Sequence, residues 1–102
     1  MNGLITAITD RIRKLEPNAE IILFGSEARN EATSDSDIDL LILLDRSEIS
    51  VELEAELSAP LYDLEFEFGK IISPIILPKY KWNTSHKATP FYESVHQQGI
   101  TL

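Results

Sequence analysis

The sequence predicts an α/β protein of the α+β type, a small mixed β-sheet of about three to four strands with helices packed on it. Three observations carry this reading. Helical and strand patterns alternate along the chain. The candidate strands are short continuous apolar runs, the pattern of strands covered on both faces. A length of 102 residues holds one two-layer core and little more, so residues 1–102 are expected to form a single domain.

Leu4, Ile5, Ile8, Ile12 and Leu15 recur at helical spacing and predict a first helix over about residues 2–15, ended by Pro17-Asn18. Ile21-Ile22-Leu23-Phe24 reads as a buried strand. Gly25-Ser26 follows at once and permits a tight turn into a short helix. Ser36 to Leu44 reads as the second strand, polar where it begins and apolar through IDLLILL. In the stretch Val51 to Phe68, Leu57, Leu61, Leu64 and Phe68 fit a helix, while Leu64, Phe66 and Phe68 alternate as a strand would. A helix with a break near Pro60, ended by Gly69, is the favoured reading. A hairpin turning at Gly69-Lys70 is the alternative. Ile71 to Leu77 reads as a third strand, and Pro74 inside it predicts an edge or a bulge. Residues 78–89 read as a polar connection, after which Thr89-Pro90-Phe91 opens a last short helix that Gly99 ends.

Composition narrows the function classes. The chain has no cysteine, which excludes a disulfide framework and a cysteine–zinc site. No apolar run approaches the ~18 residues of a membrane span. The first residues lack a basic segment before an apolar core, so no signal peptide is expected and the cytoplasm is the expected compartment. The formal net charge is −8, which disfavours broad binding to a phosphate backbone. Between Asp45 and Glu67 the acids face a single Arg46. That stretch reads as a solvated helix face or as a docking face for a basic partner protein. His86 and His96 have no metal-ligand partner at a recognisable spacing. Trp82 and Tyr80 read as core or interface aromatics, and Phe91 and Val95 are spaced to pack one face of the last helix.

The chemistry concentrates in GSEARNEATSDSDIDL, residues 25–40. Gly25 lets the backbone turn sharply and lets a phosphate approach without a β-carbon in the way. Ser26 then stands at a helix start, where its hydroxyl and free backbone N–H groups can hold phosphate oxygens. Asp37 and Asp39 are two apart on a strand, so their side chains share a face. Two carboxylates on one face repel each other unless a cation lies between them. Hard divalent ions such as Mg²⁺ bridge carboxylates to a triphosphate, and two such ions can stabilise both the attacking and the leaving oxygen of phosphoryl transfer.

This stretch resembles the signature of the DNA polymerase β-like nucleotidyltransferase superfamily, in its minimal single-domain branch. That pattern reads Gly-Ser-x-Ala-Arg-Gly, a short spacer, then Ser-Asp-x-Asp-Leu; Gly25, Ser26, Ala28, Arg29, Ser36, Asp37, Asp39 and Leu40 match it. The resemblance implies transfer of a nucleoside monophosphate, usually AMP from ATP, dependent on one or two Mg²⁺ ions. It implies that Asp37 and Asp39 are the catalytic metal ligands and that Gly25, Ser26 and Ser36 serve the nucleotide; Arg29, at a family position, either joins them by contacting phosphate or buttresses the loop through backbone hydrogen bonds. It further implies a partner, since minimal members are commonly paired with a small helical protein of the HEPN class in toxin–antitoxin modules. The acceptor is then a hydroxyl of that partner. No membrane and no nucleic-acid partner is expected.

Two departures from the pattern matter. Asn30 stands where the family has glycine, and Asn tolerates left-handed backbone better than most residues. The family's third carboxylate, counted from Gly69, falls near Ser73, which cannot be an anionic ligand. Asp63, Glu65 and Glu67 are the candidate substitutes: Asp63 and Glu67 share a face if the segment is a helix, Glu65 and Glu67 if it is a strand. The rival function is a catalytically weak or inactive module that neutralises a partner protein by contact.

Overall fold

The computed structural model describes residues 2–28 and 37–102, apart from the side chains of Asn2, Ser26 and Glu27. The elements are α1 (Asn2–Leu15), β1 (Glu20–Phe24), α2 (Gly25–Ala28), β2 (Ile38–Leu44), α3 (Val51–Phe68), β3 (Ile72–Pro78), α4 (Lys79–Asn83), α5 (Pro90–Gln98) and β4 (Ile100–Thr101). The four strands form one mixed sheet in the order β3-β2-β1-β4. β1 runs antiparallel to both β2 and β4, and β3 runs parallel to β2. This is the small mixed sheet with helices packed on it that the sequence predicts.

Strand alternation sorts the core into two layers. Ile21, Leu23, Ile38, Leu40, Ile42, Leu44 and Ile72 face one way and pack with Leu4, Ile8 and Ile12 of α1 and Leu57, Leu61 and Leu64 of α3. Ile22, Leu41 and Leu43 face the other way and are covered by Trp82 of α4 and Val95 of α5, with Phe24, Leu77, Phe91 and Tyr92 against them. Every residue of β2 from Leu40 to Leu44 is buried, which is why IDLLILL shows no alternation.

The segment before β3 is one continuous helix. Its N-terminus is capped by the Ser50 hydroxyl, which accepts from the Leu53 N–H at 3.0 Å, and Glu52 and Glu54 complement the helix dipole in the first turn. Gly69 ends it at φ 66°, a left-handed position, with its N–H donating to the Glu65 carbonyl at 2.9 Å. Pro60 lies within α3 without ending it, so the expected break does not occur. The carbonyl that loses its donor belongs to Glu56, an exposed residue, and water can serve it. The hairpin at Gly69-Lys70 is ruled out by the sheet: β2 and β3 are parallel, and parallel neighbours need a crossover such as α3.

Pro74 lies in β3, which is an edge of the sheet as its proline predicts. The polar connection at 78–89 contains α4, an element that periodicity did not reveal because five residues are too few to show it. Trp82 anchors it in the core, whereas Tyr80 is exposed. The Thr89 hydroxyl caps α5, accepting from the Tyr92 N–H at 3.1 Å, and Gly99 follows its end. At the other end of the sheet the Arg46 guanidinium donates twice to the Glu16 carboxylate, joining the turn after α1 to the turn after β2. That hydrogen bond and the carboxylate's charge raise the Arg46 pKa above its ordinary value. Among the described residues, no helix is long and apolar enough to cross a membrane.

Candidate active site

The candidate residues gather where β1 ends and β2 and β3 begin. Antiparallel register sets Asp39 beside Phe24, and parallel register sets it beside Ser73. Residues in direct register share a face of the sheet, so Phe24, Asp39 and Ser73 form one row across three strands. The row lies on the α4–α5 side, because Asp39 alternates with the buried Ile38 and Leu40 of the opposite layer.

Gly25 begins α2 directly after Phe24, with φ 73°. Only glycine adopts this backbone without cost, and here space forbids a side chain as well. A β-carbon on Gly25 would collide with Oδ2 of Asp39 and lie 3.2 Å from its Cγ. The turn after β1 and the Asp39 carboxylate are therefore in direct apposition. Asp37 is exposed and stands one residue before β2. The Ile38 between the two acids is fixed twice, by burial of its side chain and by its N–H, which donates to the Ile71 carbonyl at 2.8 Å.

The three candidates for a third carboxylate all lie on α3. Asp63 and Glu67 are exposed there. Glu65 is half-buried, and its Oε2 accepts from the Ile72 N–H at 2.7 Å. Because Ile38 bonds to the Ile71 carbonyl, the amide of Ile72 points away from β2, toward the free edge of β3. Glu65 thus closes the sheet edge. Ser73, by contrast, stands in register with Asp39 and offers a hydroxyl. Among the described residues, no group of three or more His, Cys, Asp or Glu is arranged to hold a metal ion. Arg29, Asn30 and Ser36, and the side chain of Ser26, lie outside the described residues.

A hard cation fits what is present in kind: two carboxylates flanking a fixed residue, beside a turn with no β-carbon. The wall next to them is aromatic. Phe24 meets Phe91 edge-on at 5.3 Å, Phe91 meets Trp82 edge-on at 5.6 Å, and Trp82 meets Tyr92 at 4.8 Å. The wall's signal in the sequence was Phe24 itself, the residue directly before the glycine turn and hence bound to sit beside Asp39.

The family profile described as a nucleotidyltransferase domain matches residues 5–93. The chain belongs to this nucleotidyltransferase family. The match runs from within α1 to within α5, and its range includes Gly25, Asp37, Asp39 and Ser73. A solved structure described as the crystal structure of a toxin-antitoxin with AMP-PNP is similar to this nucleotidyltransferase domain at a TM-score of 0.61 and 23% identity, covering 98% of this chain and 69% of that one. At that identity the likeness is one of fold. No curated protein matches the sequence significantly.

Proposed function

We propose that this nucleotidyltransferase domain transfers a nucleoside monophosphate, AMP from ATP, to a hydroxyl of a partner protein in an Mg²⁺-dependent reaction. The observation that carries the proposal is the apposition of the Gly25 turn and the Asp39 carboxylate, with Asp37 two residues earlier. Asp37 and Asp39 would hold one or two Mg²⁺ ions, which neutralise charge on the triphosphate and on the departing pyrophosphate. Gly25 leaves room for the Asp39 carboxylate against the turn, and Gly25, Ser26, Arg29 and Ser36 are assigned to the nucleotide on the strength of the family pattern. The acceptor oxygen forms a bond to the α-phosphorus. The bond from that phosphorus to the β-bridging oxygen breaks, and pyrophosphate leaves. The acceptor's proton goes to water, because Ser73 cannot take it as a carboxylate would.

The structural neighbour is described as a toxin–antitoxin with AMP-PNP. Carried to this chain, that supports an ATP-like substrate, an antitoxin role and a protein partner, for which a small helical protein of the HEPN class is the candidate. One observation favours a second reading. With Ser73 in register beside Asp39, and Glu65 engaged at the sheet edge, the domain can act as a contact module that holds nucleotide and turns it over slowly or not at all.

The test incubates the domain with α-labelled ATP, Mg²⁺ and the product of the adjacent gene. Mg²⁺-dependent label on that protein, lost in Asp37→Asn and in Asp39→Asn, supports transfer. Unchanged labelling by either variant would sink the assignment. Tight association without label, equal in wild type and Asp39→Asn, establishes the contact module instead.

A further inference from the structure

α3 presents a second apolar face, opposite the one in the core. Leu57, Leu61 and Leu64 point inward. Val51, Ala55, Ala59, Tyr62 and Phe66 fall at i, i+4, i+8, i+11 and i+15, one continuous stripe on the outer side. The stripe is open: Val51 is 82% exposed, Tyr62 65% and Phe66 94%. Ile71, 60% exposed, extends it past the end of the helix. Ala55, Ser58 and Ala59 form a shallow floor between Val51 and Tyr62, where small side chains let another backbone come close. A run of large exposed apolar side chains on one helix face marks an interaction surface more often than chance exposure.

Charge decides what kind of surface fits. α3 carries Glu52, Glu54, Glu56, Asp63, Glu65 and Glu67 and no Lys or Arg. A second copy would lay one acidic helix on another. We infer that the outer face of α3 docks a protein segment with an apolar ridge flanked by Lys and Arg, in the manner of a basic amphipathic helix laid along the stripe.

The placement ties this surface to the active site. The Phe66–Ile71 end of the stripe leads into β3, which begins at the sheet end that carries Asp39 and Ser73. The Ile71 carbonyl accepts from Ile38, the residue next to Asp37. A partner lying along α3 therefore ends at the sheet end that carries the carboxylates, across the sheet from the face on which Asp39 stands. This rests on the partner named in the proposed function, but it is a statement about binding and needs no turnover.

The test uses the full chain and two synthetic helical peptides with the same leucine ridge, one flanked by lysines and one by glutamates, read by fluorescence anisotropy. The lysine peptide is expected to bind saturably, and the glutamate peptide at least about tenfold more weakly. Raising salt should weaken the lysine peptide, as rim charges are screened. Phe66→Ser should lower its affinity about tenfold or more, and Ile75→Ser, on β3 facing the other layer, should leave it unchanged. Circular dichroism verifies the fold of each variant. Asp39→Asn should bind the peptide as wild type does, so a failure of transfer and a failure of docking are told apart. Equal binding of both peptides, binding of neither, or indifference to Phe66→Ser overturns the inference. So does sedimentation showing a dimer of this chain that Phe66→Ser abolishes.

Discussion

Replacing Gly25 with alanine sets two separable costs against each other. The first is backbone strain: at φ 73° an L-residue pays about 1–2 kcal/mol. The second is the collision of the new β-carbon with the Asp39 carboxylate. The colliding atom is the end of a side chain, so the carboxylate can rotate off its rotamer, at roughly 0.5–1.5 kcal/mol. Gly69→Ala is the control, because Gly69 has nearly the same φ, 66°, and nothing within 4 Å of an added β-carbon. Gly25→Ala should therefore lose about 2–3 kcal/mol and Gly69→Ala about 1–2 kcal/mol. In a domain of this size each kcal/mol lowers Tm by roughly 4–8 °C. Urea denaturation at unchanged m-value measures both. The functional outcome should be much more uneven, since only Gly25→Ala displaces a proposed metal ligand. Calorimetric titration with Mg²⁺-ATP should show binding lost in Gly25→Ala and kept in Gly69→Ala. In the double variant Gly25→Ala/Asp39→Ala the nearest surviving Asp39 atom is the Cβ at 3.5 Å, an ordinary contact. Its stability loss should fall short of the sum of the single losses by about 1 kcal/mol. Wild-type Mg²⁺-ATP affinity in Gly25→Ala, or strict additivity in the double variant, would refute the reasoning.

Three further substitutions test neighbouring parts of the structure. Ser73→Asp installs a carboxylate in register with Asp39 and should raise Mg²⁺ affinity and any transfer rate, read in the labelling assay; no gain in either would separate this position from the metal site. Trp82→Ala removes the residue that joins α4 to the sheet and to Phe91 and Tyr92, and should cost about 3–5 kcal/mol in urea denaturation. Thr89→Ala removes the acceptor for the Tyr92 N–H and the donor to the His86 carbonyl, and should cost about 1 kcal/mol, with circular dichroism reporting the shortened helix.

The elements that were legible in the sequence have a mechanism written in a few adjacent residues. Leu4, Ile8 and Ile12 repeat at four-residue spacing because α1 rests on the sheet by one stripe only. Thr89-Pro90 and Gly99 bracket α5, and Pro74 marks β3 as an edge. α3 was harder because it has apolar residues on two faces, so its helical period is blurred and a strand reading competes with it. Pro60 misled for another reason: its cost, a missing hydrogen bond and a ring clash with the carbonyl four residues back, is local, whereas the burial of Leu57, Leu61 and Leu64 that holds the helix together is tertiary. β4 has two residues and takes its strand character from pairing with Ile22 and Leu23, a tertiary fact with no local signature.

The same distinction runs through the active site. A glycine that must turn at positive φ and two acids spaced by one apolar residue are local requirements, and both could be read directly from GSEARNEATSDSDIDL. The third acid is a question of register between strands that are far apart in sequence. Counting from Gly69 pointed to Ser73, and the parallel pairing of β2 with β3 does set Ser73 beside Asp39. What counting could not reveal is the occupation of Glu65. Its carboxylate is bound to the Ile72 amide, which faces outward because the neighbouring Ile71 carbonyl faces Ile38. Swinging Glu65 toward Asp39 would leave that amide unpaired and carry the side chain across the edge strand, at a cost of about 1–3 kcal/mol for the lost partner alone. An exposed Asp63 or Glu67 can move more freely but starts from the outer surface of α3. For the proposed site on Asp37 and Asp39, the energetics therefore count against rapid turnover by a third acid from α3. They make the Ser73→Asp comparison the point at which binding and transfer separate.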